Sequence, residues 1–170
     1  MHQGCICSLK AQPSDAVRML TDGFAAQQLT GATLWVPFAL SHLARAYTEL
    51  GKFEDAWRTI REAITTVERT KEMWCEAEVY RTAGEIMLLA PEPDAAKTEA
   101  YFNQALSISR AQEAKSWELR AAMSMARLWR DRGKRDEASN LLAPIYGWFT
   151  EGFDTRDLKE AKALLDALSL

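Results

Sequence analysis

The sequence predicts an all-α, right-handed solenoid of antiparallel helix pairs, with a repeat of about 40 residues and a C-terminal capping helix. Three observations carry this. Shifted by 82 positions, Leu43 falls on Met125, Ala44 on Ala126, Tyr47 on Trp129, Gly51 on Gly133, Ala56 on Ala138 and Trp35 on Trp117. Small residues land on small and large on large, as stacked copies of one helical unit require. The interval divides in two: Ala44 moves by 40 to Gly84, and Ile60, Ala63 and Ile64 move by 42 to Phe102, Ala105 and Leu106. Each unit carries two apolar stripes at helical spacing, the mark of two amphipathic helices.

In chain order, 1–30 reads as a partial repeat. A backward shift of 40 takes Ala56 to Ala16, Ile60 to Leu20, Ala63 to Gly23, Ile64 to Phe24 and Ala44 to Gly4. Only 4–10 remain of an opening helix before the turn at Ala11, Gln12, Pro13 and Ser14. An array normally ends in a polar cap, so this end reads as cut, and the chain as a piece of a longer array. Leu20 and Phe24 then stand on an exposed first unit.

The next repeat, 31–71, places Leu40, Leu43, Ala44, Tyr47 and Leu50 on its first stripe, stopped by Gly51. Phe53, Ala56, Trp57, Ile60, Ala63, Ile64 and Val67 form its second stripe. Repeat 72–112 follows with Val79, Ala83, Ile86 and Met87, a loop around Pro91 and Pro93, then Phe102, Ala105, Leu106 and Ile108. Repeat 113–150 has Leu119, Ala122, Met125, Ala126 and Trp129, then Ala138, Leu141, Leu142 and Ile145. A last amphipathic stretch, 154–169, reads as the capping helix, with Asp154 or Thr155 as its N-cap. The whole of 1–170 is expected to form one domain.

Composition sets outer limits. Hydrophobic residues make up 48% and charged residues 26% of 170, enough for a sizeable core. The net charge of −3 offers no electrostatic case for nucleic acid or an anionic membrane. The longest uncharged stretch, 23–44, is too polar to span a bilayer. Three cysteines cannot form a closed disulfide set, so the expected setting is reduced and cytoplasmic.

Candidate chemistry is sparse. His2, Cys5 and Cys7 form an H-x-x-C-x-C pattern without a downstream partner pair, a poor closed metal site. His42 has no triad-like context and reads as a surface or core-edge residue, whereas Cys75 aligns with Trp35 and Trp117 and reads as packed. The acidic pairs Glu54/Asp55, Glu76/Glu78 and Asp136/Glu137 sit at helix starts or on polar faces, and Glu54, Asp55, Asp136 and Glu137 complement the helix dipole. Trp35, Trp74 and Trp117 open successive units and would either staple them or line one groove edge. No catalytic residue, metal or cofactor is expected.

Leu43, Ala44, Tyr47, Gly51, Phe53, Ala56 and Ala63 resemble a tetratricopeptide repeat, with a period longer than the usual 34. The stretches 115–122, 126–129, 141–155 and 157–161, which hold Trp117, Arg120, Trp129, Trp148 and Glu160, are similar to the C-terminal array of multidomain bacterial regulators. Those regulators join a cyclase-type or winged-helix domain to a signalling ATPase and a terminal tetratricopeptide array. The resemblance implies a non-enzymatic regulatory module that binds a peptide or protein partner in a concave groove. It also allows a small-molecule sensor, or assembly through the open N-terminal end.

Carried over from the family, the groove positions are Phe38, Ser41, Arg45, Thr48 and Glu49, then Glu78, Arg81, Glu85, Leu88 and Leu89, then Arg120, Met123, Arg127, Arg130 and Asp131. Arg120, Arg127 and Arg130 would form a stripe able to clamp a carboxylate or phosphate, or would neutralise Glu78 and Glu85 across the groove. Partners implied are a protein or peptide, missing upstream domains of a longer polypeptide, or a second copy. Neither nucleic acid nor membrane is expected.

Overall fold

The structure, a computed structural model, describes residues 2–9, 12–30 and 34–169. They form nine α-helices: α1 (His2–Leu9), α2 (Pro13–Thr30), α3 (Val36–Glu49), α4 (Phe53–Thr70), α5 (Glu76–Leu89), α6 (Ala95–Ala111), α7 (Lys115–Asp131), α8 (Arg135–Tyr146) and α9 (Arg156–Leu168). A single 3-10 turn, Met73–Cys75, leads into α5, and no strand occurs among the described residues. Consecutive helices pack as antiparallel pairs, and the pairs stack so that α3, α5, α7 and α9 lie side by side.

The turns repeat as closely as the helices do. Gly51 and Gly133 take the left-handed conformation, at φ 72° and 77°, just past α3 and α7. The following Lys52 and Lys134 amides donate back to the Tyr47 and Trp129 carbonyls at 2.8 Å each. This satisfies carbonyls that a helix end leaves open. Glu113 makes the same turn after α6 at φ 53°, with Ala114 N–H donating to Ser109 O at 2.8 Å. A side chain at left-handed φ costs about 1–2 kcal/mol, so this turn is held by the packing on both sides of it. α6 is capped by Asp94, whose carboxylate accepts from the Ala96 and Lys97 amides at 3.1 and 3.0 Å.

Small residues sit where the two helices of a pair cross. Ala44, Ala56, Ala126 and Ala138 are fully buried. A Cβ added at Gly84 would stand within 2.6 Å of the Phe102 ring, and one at Gly4 would stand 2.6 Å from Leu20. One continuous core joins α5 through α9, in which Leu158, Ala161, Leu164 and Leu168 bring the last helix onto α7 and α8.

Several expectations are corrected. Leu20 is fully buried and Phe24 half-buried against the next pair, because α2 packs on α3, so neither stands on an open face. Leu50 is 36% exposed, because it is the C-cap that follows the last residue of α3. Glu78 opens α5 yet is buried, because α7 covers it. Thr155 is the N-cap of α9, but its hydroxyl donates to Gly152 O at 2.7 Å and caps no helix amide. His42, on α3, is buried against α1, with Ser8 Oγ 3.3 Å from its Nδ1 and the Phe38 ring edge-on at 4.6 Å.

The H-x-x-C-x-C reading falls largely outside the described residues, since it needs the side chains of His2 and Cys7. Cys5 and Cys75 are both buried. Burial pushes their thiols up to about 11 and about 12 respectively, so neither is a ready thiolate. No group of three or more metal-ligating side chains occurs among the described residues, and no described helix is long and apolar enough to cross a membrane.

Candidate functional site: a charge-paired concave groove

The inner faces of α3, α5, α7 and α9 enclose a groove of about 750 Å³. α3 contributes Arg45, Thr48 and Glu49. α5 contributes Glu78, Arg81, Thr82, Glu85, Ile86, Leu88 and Leu89, running from a polar to an aliphatic end. α7 supplies Arg120 and Arg127, and the start of α9 closes the far wall with Thr155, Arg156, Asp157 and Glu160.

Seven of the ten charged or aromatic positions carried over from the family therefore line this groove: Arg45, Glu49, Glu78, Arg81, Glu85, Arg120 and Arg127. Phe38, Arg130 and Asp131 do not. Arg130 stands in the last turn of α7, outside the lining, and its guanidinium pairs with Asp131 at 2.8 Å. Phe38 instead packs at the N-terminal ends of the opening helices, 5.1 Å from Trp74 and 6.5 Å from Trp117. Trp35 meets Trp74 edge-on at 4.7 Å, so these tryptophans staple neighbouring pairs. Met123 and Ser41 are buried in the core.

The floor of the groove is an ion-pair network. Arg81 donates from Nε and Nη2 to the two oxygens of Glu78, 2.7 Å each, and from Nη1 to Glu85 and to Ser124 Oγ. Ser124 in turn donates to Glu85 at 3.1 Å. Burial pushes the Glu78 carboxyl up, but Arg81 and Arg120 overcome it and hold the group below the usual carboxylate range. Burial works against the Arg81 charge, and Glu78 and Glu85 outweigh it, so the guanidinium is held above its ordinary value.

The arginine stripe on α7 is not open. Arg120 Nε donates to Asp157 at 2.6 Å, its Nη1 stands 3.6 Å from Glu78, and its guanidinium stacks 5.1 Å from the Trp117 ring. Arg127 Nη2 donates to Glu160 at 3.1 Å, and Glu160 also accepts from Arg156 at 2.7 Å. The Arg156 hydrogen bond dominates the Glu160 carboxyl and, against a smaller effect of burial, holds it below its ordinary range.

The α9 wall is missing from the family positions, because 154–169 carries the pattern of a cap. A signal for it stands in the repeat register. Glu160 follows Arg120 by 40 residues, and Arg120 follows Glu78 by 42. The inner face of α9 therefore occupies the opening-helix position of one further unit.

No family model matches this chain, and no curated protein matches its sequence. Solved structures do match in fold. The crystal structure of a kinesin light chain-like protein of Podospora anserina with nearly identical TPR-like repeats superposes with a TM-score of 0.67 at 16% identity, covering 98% of this chain and 82% of that one. A point variant of that protein gives 0.68 with the same identity and coverage. The chain is thus similar in fold to TPR-like repeat proteins, and at this identity the likeness establishes the fold alone.

Proposed function

We propose that this chain is a non-enzymatic protein-interaction module that holds a peptide or protein partner in its concave groove. We also propose that it serves a bacterial signalling or transcriptional regulator of the kind that 115–122 and 141–155 resemble. The observation that supports the binding reading is the groove itself: about 750 Å³, lined by ten charged side chains held in place by mutual ion pairs. Side chains fixed before binding lose little freedom on complex formation.

A small-molecule sensor is the second reading, favoured by the aliphatic end of the groove at Ile86, Leu88 and Leu89. Assembly through the N-terminal pair loses its named contacts, since Leu20 is buried and Phe24 half-buried. The test is Arg127→Ala. Partner binding should weaken by about 1.5–3 kcal/mol, the worth of a charged hydrogen bond, while light scattering and melting stay unchanged. Unchanged affinity together with altered particle size would remove the groove from the function.

A further inference from the structure

The charges of the groove alternate in sign from unit to unit. One position of the repeat holds Arg45, Glu85 and Arg127, and another holds Glu78, Arg120 and Glu160. Opposite charges meet both between neighbouring helices, at α5/α7 and α7/α9, and within α3 and α5. Arg120 sits between Glu78 at 3.6 Å and Asp157 at 2.6 Å. Arg127 meets Glu160 at 3.1 Å, Arg45 meets Glu49 at 3.0 Å, and Arg81 meets Glu78 and Glu85. Five arginines and five carboxylates line the groove, so it has no excess of either sign.

This arrangement bears on what can enter. A purely acidic segment that takes an arginine displaces a carboxylate and leaves it beside the incoming like charge. A purely basic segment does the reverse. A segment with both signs exchanges partners, so that every charge stays paired. Both members of the two pairs that α7 makes with α9 are reachable from the groove: Arg127 and Glu160 are 38% and 39% exposed, Arg120 and Asp157 33% and 31%. Arg120, which holds Asp157, is seven residues from Arg127 along α7, a step of about 10 Å. At the end of α5, Leu88 and the 61%-exposed Leu89 offer an aliphatic seat.

We infer that the groove selects peptide segments of mixed charge, with a carboxylate directed to Arg127, a cationic side chain about 10 Å away directed to Asp157, and an aliphatic side chain on Leu88 and Leu89. This rests on the groove being the binding surface. It goes beyond that reading by naming the chemistry of the partner.

The test uses three synthetic peptide pools on the full chain. They share a leucine and randomised Ala, Ser and Gly positions, and differ only in two charged residues three apart, which a polyproline-II chain sets on one side about 9 Å apart. The pairs are Asp/Arg, Asp/Asp and Arg/Arg. The mixed pool should bind about tenfold more tightly than either other pool, with little dependence on ionic strength. Arg127→Ala should shift the preference toward the basic pool, and Asp157→Asn toward the acidic pool.

Acidic or basic peptides binding as well as mixed ones, with sensitivity to Arg127→Ala, would overturn the charge selectivity and leave the groove as the binding surface. Mixed peptides binding equally to both variants would overturn it too, by placing the contact elsewhere. Binding by none of the pools would overturn the selectivity and the groove reading together.

Discussion

Phe102 lies directly over Gly84: a Cβ on that glycine would stand within 2.6 Å of two ring carbons. The equivalent crossing one unit earlier pairs the larger Ala44 with the smaller Ile60, both fully buried. Volume lost on one helix is regained on its partner, which keeps the interior close-packed. Gly84→Ala should therefore destabilise by about 1–3 kcal/mol through overpacking, even though alanine is the better helix former. Adding Phe102→Leu should return part of that loss. Thermal melting of the two variants checks it, and a stabilised single variant would contradict the register.

Ala126→Leu probes the same crossing in the third pair. Ala126 and Ala138 are both fully buried, with Leu142 packed in the same core. The expected cost is about 1–3 kcal/mol, read as a lower melting midpoint; an unchanged midpoint would count against this crossing.

The pair formed by Arg81 and Glu78 should show strong coupling. Arg81→Met leaves a buried carboxylate with only Arg120 nearby and should cost about 3–5 kcal/mol. The double variant Arg81→Met/Glu78→Leu removes both charges and should recover most of it. Urea denaturation of both, beside the wild type, measures the coupling.

Stability should fall in mild acid because of His42. Burial pushes its imidazole down to about 4, with Glu78 opposing the effect and Arg45, Arg120 and Arg81 adding to it. Above the unfolded value near 6.5 both states are neutral, and the full stability is present. Between about 6.5 and 4 the unfolded chain takes up a proton that the folded chain refuses, at a cost of about 3 kcal/mol by pH 4. His42→Gln should flatten that limb of the melting-versus-pH profile. Glu78 adds a separate loss at lower pH: its folded value lies below the unfolded one, so its contribution holds above the unfolded value and disappears as pH falls through the folded value.

The two buried thiols should report different openings. Cys75 lies between the second and third pairs with no exposed surface, whereas Cys5 sits on an eight-residue helix. In a Cys7→Ser background, a maleimide should modify Cys5 well before Cys75, since short peripheral elements open at lower free energy. Equal rates would mean that α1 opens only with the whole array.

Much of this protein is legible in its sequence, because the dominant signals are local. Apolar residues at 3.6-residue spacing mark which face of each helix is buried, and small residues at Gly4, Ala44, Gly84 and Ala126 mark where helices cross. That Arg45, Glu49, Glu78, Arg81, Glu85, Arg120 and Arg127 share one inner surface was implied by the tetratricopeptide resemblance, and all seven line the groove.

Tertiary structure alone decided which charges meet. Arg120 and Asp157 are 37 residues apart, and Arg127 and Glu160 are 33 apart. They touch because the core residues Leu158, Ala161, Leu164 and Leu168 seat α9 against α7 and α8. Helical periodicity assigns each side chain a direction around its own axis. The identity of the charge it faces depends on which helix the packing of the core sets beside it, and at what depth.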